Sequence, residues 1–448
     1  MKNCSLTRLL LCLALLSCLT GCAKQPGMVR DIVSLPQDAQ HYLVEPDKEL
    51  ISLERQADLY GDFLARTFAP WNREEPRFVA REVFWGLDRY RSRDVYGENN
   101  LPLPSGWIDE MEQKSNIKEY PAVFIPGITV VHASMRVLPT QRPVFYNPSR
   151  PGEGFPFDYM QNTLLAAGTP LLITHVSSDG QWALAETDYA AGWIRWEELA
   201  IAGEDFQKAY KGKPLAGFVT DDVPIISQSG MHFFSGRVGM SLPLALDQEE
   251  NDEFWQVLVP VRDHSGSAKV MQARVRRDDC QRMPFVPNPE NFAKILNSMM
   301  GQTYGWGGLY GKRDCSALLK DVFAGFGILL PRNSRDQAKA GHFIPLEGLS
   351  RQEKQDLIVE EGKPWVTILY MPGHVMLYIG QDPGTGQALI YHSLWGLRTW
   401  RLFREDGRWV IGRTVITSLE PGKELHRLAR PRGLLVERIT GMIFPVEP

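Results

Sequence analysis

Tyr304-Gly-Trp-Gly-Gly, followed by a glycine-rich stretch and then by Asp314-Cys315-Ser316, is where the reading of this chain begins. Beyond Cys315 the apolar residues Leu318, Leu319, Val322, Phe323 and Phe326 recur at helical spacing, which predicts a helix with one buried stripe. Gly325 and Gly327, with Pro331 beyond them, mark its end. Cys315 is therefore placed in the first turn of a helix, where unpaired N–H groups favour a thiolate. The glycines between Gly305 and Gly311 let the backbone pass close to a bound ligand.

A thiol nucleophile needs a base that accepts a proton near neutral pH, and histidine comes first. His374 opens the run Val375 to Ile379, closed by Gly380, which reads as a strand with the histidine at its entry. Ala388 to Ser393 reads as a second strand, with Asp382-Pro383-Gly384-Thr385-Gly386 as the turn between them. In adjacent antiparallel strands the start of one lies beside the end of the other. His392 is thus placed to orient the ring of His374, the role of the third member in a triad. Each residue alone has a plainer reading, a small buried hydrophobe for the cysteine and a core or surface residue for each histidine. Their joint order points to a thiol hydrolase.

This constellation resembles the NlpC family, papain-like cysteine peptidases of the bacterial cell wall. The resemblance rests on the Tyr304 segment, Asp314-Cys315-Ser316, Pro331-Arg332-Asn333-Ser334 with Gln337, Gly373-His374-Val375 and His392-Ser393. It covers only about the last third of the chain. It implies Cys315 as nucleophile, His374 as base and His392 as polar third member. It also implies cleavage of the bond between γ-D-glutamyl and a diamino acid in peptidoglycan stem peptides. No cofactor and no metal are expected, since the chain has no Cys-x-x-Cys pair and no His-Glu-x-x-His.

The chain begins Met1-Lys2, with Arg8 and an almost wholly apolar Leu9 to Leu19, which reads as a secretory signal (residues 1–21). Leu19-Thr20-Gly21-Cys22 resembles a bacterial lipobox, implying lipidation of Cys22 and anchoring at the periplasmic face of a membrane, the outer one by preference. Of six cysteines, Cys4, Cys12 and Cys18 leave with the signal and Cys22 carries lipid. Cys280 and Cys315 remain, and both are expected free, because a disulfide would silence the nucleophile. A net charge of −4 and the absence of any basic block argue against a nucleic-acid partner. A monomer is expected.

Five segments follow from texture. After the signal, residues 22–124 are a polar, proline-dotted tether to about residue 46 and then helical patterns. One of these carries Leu50, Leu53, Ala57 and Leu64. Short β runs with turns fill residues 125–202, including Val137-Leu138-Pro139-Thr140, Pro170 to His175 and Gln181 to Ala185. The Asp179-Gly180 turn and Gly192-Trp193 resemble bacterial SH3-like domains. Residues 203–284 repeat the texture as a second barrel, and residues 285–448 form the catalytic domain. The expected architecture is thus multidomain α+β, a helical segment and two SH3-like barrels before a papain-like domain.

That order resembles a subgroup of these peptidases in which the first barrel borders the cleft and a free N-terminal L-alanine is preferred. The resemblance implies that Tyr304, Asp314 and Ser316 help hold the ammonium. Glu153 or Asp158, on the loop 151–159 of the first barrel, is a further candidate carboxylate, against the plainer reading of solvated loop charges. Two other functions compete. One is a wall-binding lipoprotein with an inert C-terminal domain, the other a papain-like amidase or acyltransferase.

Overall fold

The computed structural model describes residues 28–245, 253–401 and 404–446, so the signal segment and Cys22 lie outside the described residues. The N-terminal part contains helices α1 (Arg30–Ser34), α2 (Leu53–Thr67), α3 (Ala80–Val83), α4 (Trp85–Arg91) and α5 (Trp107–Ser115). The stretch expected to be a tether is docked from residue 28 on. Val29 is buried, the Asp31 carboxylate accepts from Ser418 N and Oγ at 2.8 and 2.7 Å, and the Gln37 amide exchanges two hydrogen bonds with the backbone of Ile416.

The stripe expected on α2 is also corrected, because Leu53 is 68% exposed and Ala57 is exposed too. The helix turns Gln56 and Phe63 inward instead, and the Gln56 amide donates to the carbonyls of Phe285 and Phe326. A polar residue that docks by hydrogen bonds is invisible to a hydrophobic pattern.

The first barrel is a seven-stranded antiparallel sheet ordered β3-β2-β6-β5-β4-β1-β7. Its strands are β1 (Ile125–Thr129), β2 (Ala133–Arg136), β3 (Gln161–Leu165), β4 (Pro170–Val176), β5 (Trp182–Glu186), β6 (Ala191–Arg195) and β7 (Leu199–Ile201). Val137 to Thr140, expected as a strand, follows β2 rather than forming one. Pro139 cannot donate to a ladder, which suits a segment leaving the sheet. Helix α6 (Glu204–Tyr210) leads to the second β domain. Strands β8 (Leu215–Phe218), β11 (Ser241–Pro243) and β14 (Cys280–Arg282) form one sheet there. β9 (Val223–Ser227), β10 (His232–Gly236), β12 (Phe254–Arg262) and β13 (Ala268–Arg276) form the other.

The C-terminal part begins with α7 (Pro289–Ser298), capped by the Asn288 side chain with proline at its start, and continues to α8 (Cys315–Ala324) and α9 (Ser334–Gln337). After β15 (His342–Pro345) and α10 (Arg351–Glu361) come β16 (Ile368–Met371), β17 (His374–Gln381), β18 (Ala388–Arg401), β19 (Arg404–Ser418), α11 (Leu435–Arg438) and β20 (Gly441–Phe444). The six-stranded sheet runs β15-β20-β16-β17-β18-β19. Strand β18 is longer than the expected Ala388 to Ser393. The ladder continues past Ser393 through a register shift at Leu394/Gly396.

Under α8 one apolar core joins three parts of the chain. Tyr42, Ile51 and Phe63 come from the N-terminal part and Leu215, Val219 and Val238 from the second β domain. They pack with Leu318, Val322, Phe326, Val375 and Leu377 of the catalytic part.

Candidate active site

Asp314 begins the site. Its Oδ1 accepts from Ala317 N at 2.8 Å, which caps α8 and leaves Cys315 as the first helical residue. The same carboxylate accepts from Gly307 N at 3.0 Å, Ser316 Oγ at 3.1 Å and two nitrogens of Arg332 at 2.7 and 3.2 Å. Arg332 also donates to Thr163 Oγ1 of β3 at 2.7 Å, so the first barrel and the segment at Asp314 share one guanidinium. Gly307 and Gly308 adopt positive φ, and a Cβ on either would collide with β3 at Gln161 or Leu164. That close approach is the physical reason for the paired glycines after Trp306.

The histidines come together as expected from their strands. His374 Nε2 lies 2.9 Å from His392 Nδ1, and His392 Nε2 lies 3.1 Å from Thr417 Oγ1. Thr417 donates its hydroxyl proton to the Ser418 carbonyl at 2.8 Å, so its oxygen must accept from His392 Nε2–H. His392 Nδ1 is then unprotonated and accepts from His374 Nε2–H. The remaining lone pair of His374 is on Nδ1, and the bonding network thereby assigns the tautomer. Helix α8 packs on β17 and β18, and the backbone at Val375 and Ser316 lies close enough to the Cys315 sulfur to favour its anion, against the effect of burial.

Electrostatics corrects one expectation. Burial, with the Asp314 charge, pushes the Cys315 thiol up to about 12 despite its place at a helix start. Burial, with the Arg438 charge, pushes His374 down to about 3, and burial also pushes His392 well below its ordinary value. Both shifts disfavour the charged forms, the thiolate of Cys315 and the imidazolium of His374. Cys280, the other free cysteine, is buried in the second β domain and is likewise pushed up, to about 12.

The loop 151–159 forms an aromatic wall. Phe157 meets Tyr304, Trp306 and Trp395 edge to face, and Tyr159 packs on Trp306. Burial pushes the Tyr304 hydroxyl well above its ordinary value, and the nearby Asp314 carboxylate adds to the shift.

The candidate carboxylates separate. Asp158 is buried and pairs with Arg136 at 2.7 Å while accepting from Val144 N and Met160 N. It is a structural anion and not an open acceptor, which corrects its candidacy. Glu153 stays half-buried and accepts from Tyr159 Oη at 2.8 Å. Asp314 has its acceptor capacity filled by the donors above. Ser316 is buried against Asp314 and Arg332. Sequence reasoning missed the roles of Arg332, Gln337 and Thr417. Gln337 lies inside the quoted motif and donates to the carbonyls of Ser316 and Pro331.

Comparison with known proteins bears on this geometry. Residues 301–394 match the model described as NlpC/P60 family. The C-terminal domain belongs to the NlpC/P60 family. Upstream of this NlpC/P60 domain, residues 143–195 match an SH3 domain of SH3b1 type and 204–245 one of SH3b2 type. Residues 9–120 match the N-terminal NLPC_P60 stabilising domain.

The structure resembles an NlpC/P60 endopeptidase from Photobacterium damselae subsp. piscicida, with TM-score 0.81 and 26% identity over 92% of this chain and 97% of the other. Two relatives are similar in sequence over 20% of this chain. The γ-D-glutamyl-L-lysine dipeptidyl-peptidase of Bacillus subtilis is 34% identical over 96 residues, and the peptidoglycan endopeptidase RipB of Mycobacterium tuberculosis 37% over 108. The match spans 30% and 39% of those two proteins.

Proposed function

We propose that this protein is a cysteine endopeptidase of peptidoglycan that cleaves the γ-D-glutamyl–diamino acid bond of stem peptides. The observation that carries the reading is the relay Thr417–His392–His374, which leaves a lone pair on His374 Nδ1, on the strand against which the capped Cys315 helix packs. In the reaction the Cys315 proton passes to His374 Nδ1 while sulfur bonds to the γ-carbonyl carbon. The oxyanion is met by backbone N–H groups including that of Cys315. His374 returns the proton to the leaving amine as the C–N bond breaks. Water then attacks the thioester, losing a proton to His374, which restores the thiol. An intact relay of this kind has no use in an inert wall-binding domain.

The acyl part of the substrate carries a free L-alanine ammonium in this reading, and Glu153 with the Tyr304 hydroxyl receives it. Support comes from the half-buried Glu153 beside Tyr159 and Trp306. Glu153→Ala is expected to raise KM about tenfold for L-Ala-γ-D-Glu-diaminopimelate and to leave kcat nearly unchanged. An unchanged KM, or equal cleavage of the amine-blocked peptide, removes this assignment. The mature chain is a monomer anchored through lipidated Cys22. Membrane fractionation of Cys22→Ala tests the anchor, which is wrong if the variant stays membrane-bound.

A further inference from the structure

Among the described residues no hydrogen bond or ion pair joins the second β domain to either histidine of the relay, yet the domain grips the loop that precedes Cys315. Arg313, the residue before Asp314, is 1% exposed. Its guanidinium donates to both oxygens of Asp221, at 2.6 and 2.9 Å, to Asp321 at 2.7 Å, to Gln302 Oε1 at 3.0 Å and to the Val238 carbonyl at 2.9 Å. Asp221 and Val238 belong to the second β domain, Asp321 to α8 and Gln302 to the segment entering Tyr304. Asp221 also accepts from Gln302 Nε2 at 2.6 Å and from Val238 N at 2.9 Å. A single carboxylate thus holds both ends of the loop between Gln302 and Arg313.

Backbone contacts pass that grip to the reacting groups. Gly305 N and Ser393 Oγ both donate to the Arg313 carbonyl at 3.0 Å, and Ser393 follows His392. Arg237 of the second β domain pairs with Asp321 at 3.4 Å, and a Cβ on Gly239 would fall 2.6 Å from the Asp321 Cα. The cluster balances two arginines against two aspartates. With one partner removed, a buried charge is left uncompensated, and the loop has reason to move.

We propose that Asp221 is a positioning residue for the hydrolysis. By holding Arg313 and Gln302 it sets where Tyr304 and Cys315 stand relative to His374. This rests on Cys315 being the nucleophile, and it gives the second β domain a task in the reaction beyond support.

The test uses the whole mature chain with Asp221→Asn, Asp221→Ala and Gln302→Leu, the last cutting one arm of the grip without breaking the ion pair. Three readouts are compared: kcat and KM on the tripeptide, iodoacetamide alkylation of Cys315 mapped by mass spectrometry, and thermal unfolding. Folded variants are expected to lose between about 10- and 100-fold in kcat, with KM within threefold, and to show a changed alkylation rate. Asp221→Asn should retain more activity than Asp221→Ala.

Parent-like kcat and alkylation in folded variants, even with a lowered Tm, would reduce the domain to a scaffold and overturn the proposal. A raised KM with intact kcat would overturn it too, by making the domain a substrate contact. If the parent does not cleave the tripeptide, the function assigned above fails, while alkylation still decides the positioning role.

Discussion

His374 shows how one side chain fixes a pH response. Burial, with the positive charge of Arg438, pushes its ring down to about 3 in the folded state, while Nε2–H is held by His392. In the unfolded chain a histidine titrates near about 6.5. Between those values the unfolded state binds more protons, so the neutral ring contributes stability above about pH 6.5 that is lost as pH falls through 3. Tm of the parent should therefore drop across that window, and the drop should be shallower for His374→Gln. A parallel pH profile in the variant would contradict the assignment.

Cys315 and His374 were legible in the sequence because each opens a strongly patterned element, and His392 because it lies on the strand that pairs with that of His374. Thr417 and the role of Arg332, quoted only as part of a motif, were not, because nothing local marks a hydroxyl or guanidinium whose partner is distant in the chain. The direction in which the thiol's pKa is pushed was not legible, for a related reason. A helix start is visible in sequence, but the burial that outweighs it is not.

On the scale of elements, α8 depends on its cap. Losing an N-cap costs about 1 kcal/mol. Stripping a buried arginine of its carboxylate costs about 3–5 kcal/mol. Asp314→Ala does both at once, because Arg332 is left beside Ser316 and Thr163 without its anion. Denaturant unfolding should show a loss nearer the second figure, and Asp314→Ala with Arg332→Met should recover part of it. A loss limited to about 1 kcal/mol would mean that the ion pair contributes little. The cap was readable from Asp314 preceding an apolar period. The dense inward hydrogen bonding of Asp314 was not, and it turned an expected ammonium acceptor into a filled one. The stripe on α2 failed similarly, where Gln56 docks by its amide.

For the whole molecule the order of parts was legible from texture, whereas their interdependence was not. Periodicity reports which face of an element is apolar and says nothing about which distant element covers it. The core beneath α8 takes Tyr42, Ile51 and Phe63 from one end of the chain and Leu215, Val219 and Val238 from the second β domain. Three arginines, Arg66, Arg73 and Arg77, converge on Asp188 of the first barrel and fasten the N-terminal helices there. Residues 285–448 expressed alone should therefore unfold with a Tm lower by roughly 10 °C or more, or fail to fold cooperatively. A stable, cooperatively folding fragment would show that the shared core is dispensable.

The central claim is that Cys315, served by His374, cleaves a γ-D-glutamyl bond. Mass spectrometry of L-Ala-γ-D-Glu-diaminopimelate incubated with the mature protein and with Cys315→Ala tests it most directly. Free diaminopimelate should form with the parent and fall by at least about 10⁴-fold in rate with the variant. Cleavage that survives the substitution, or no cleavage by the parent, would contradict it.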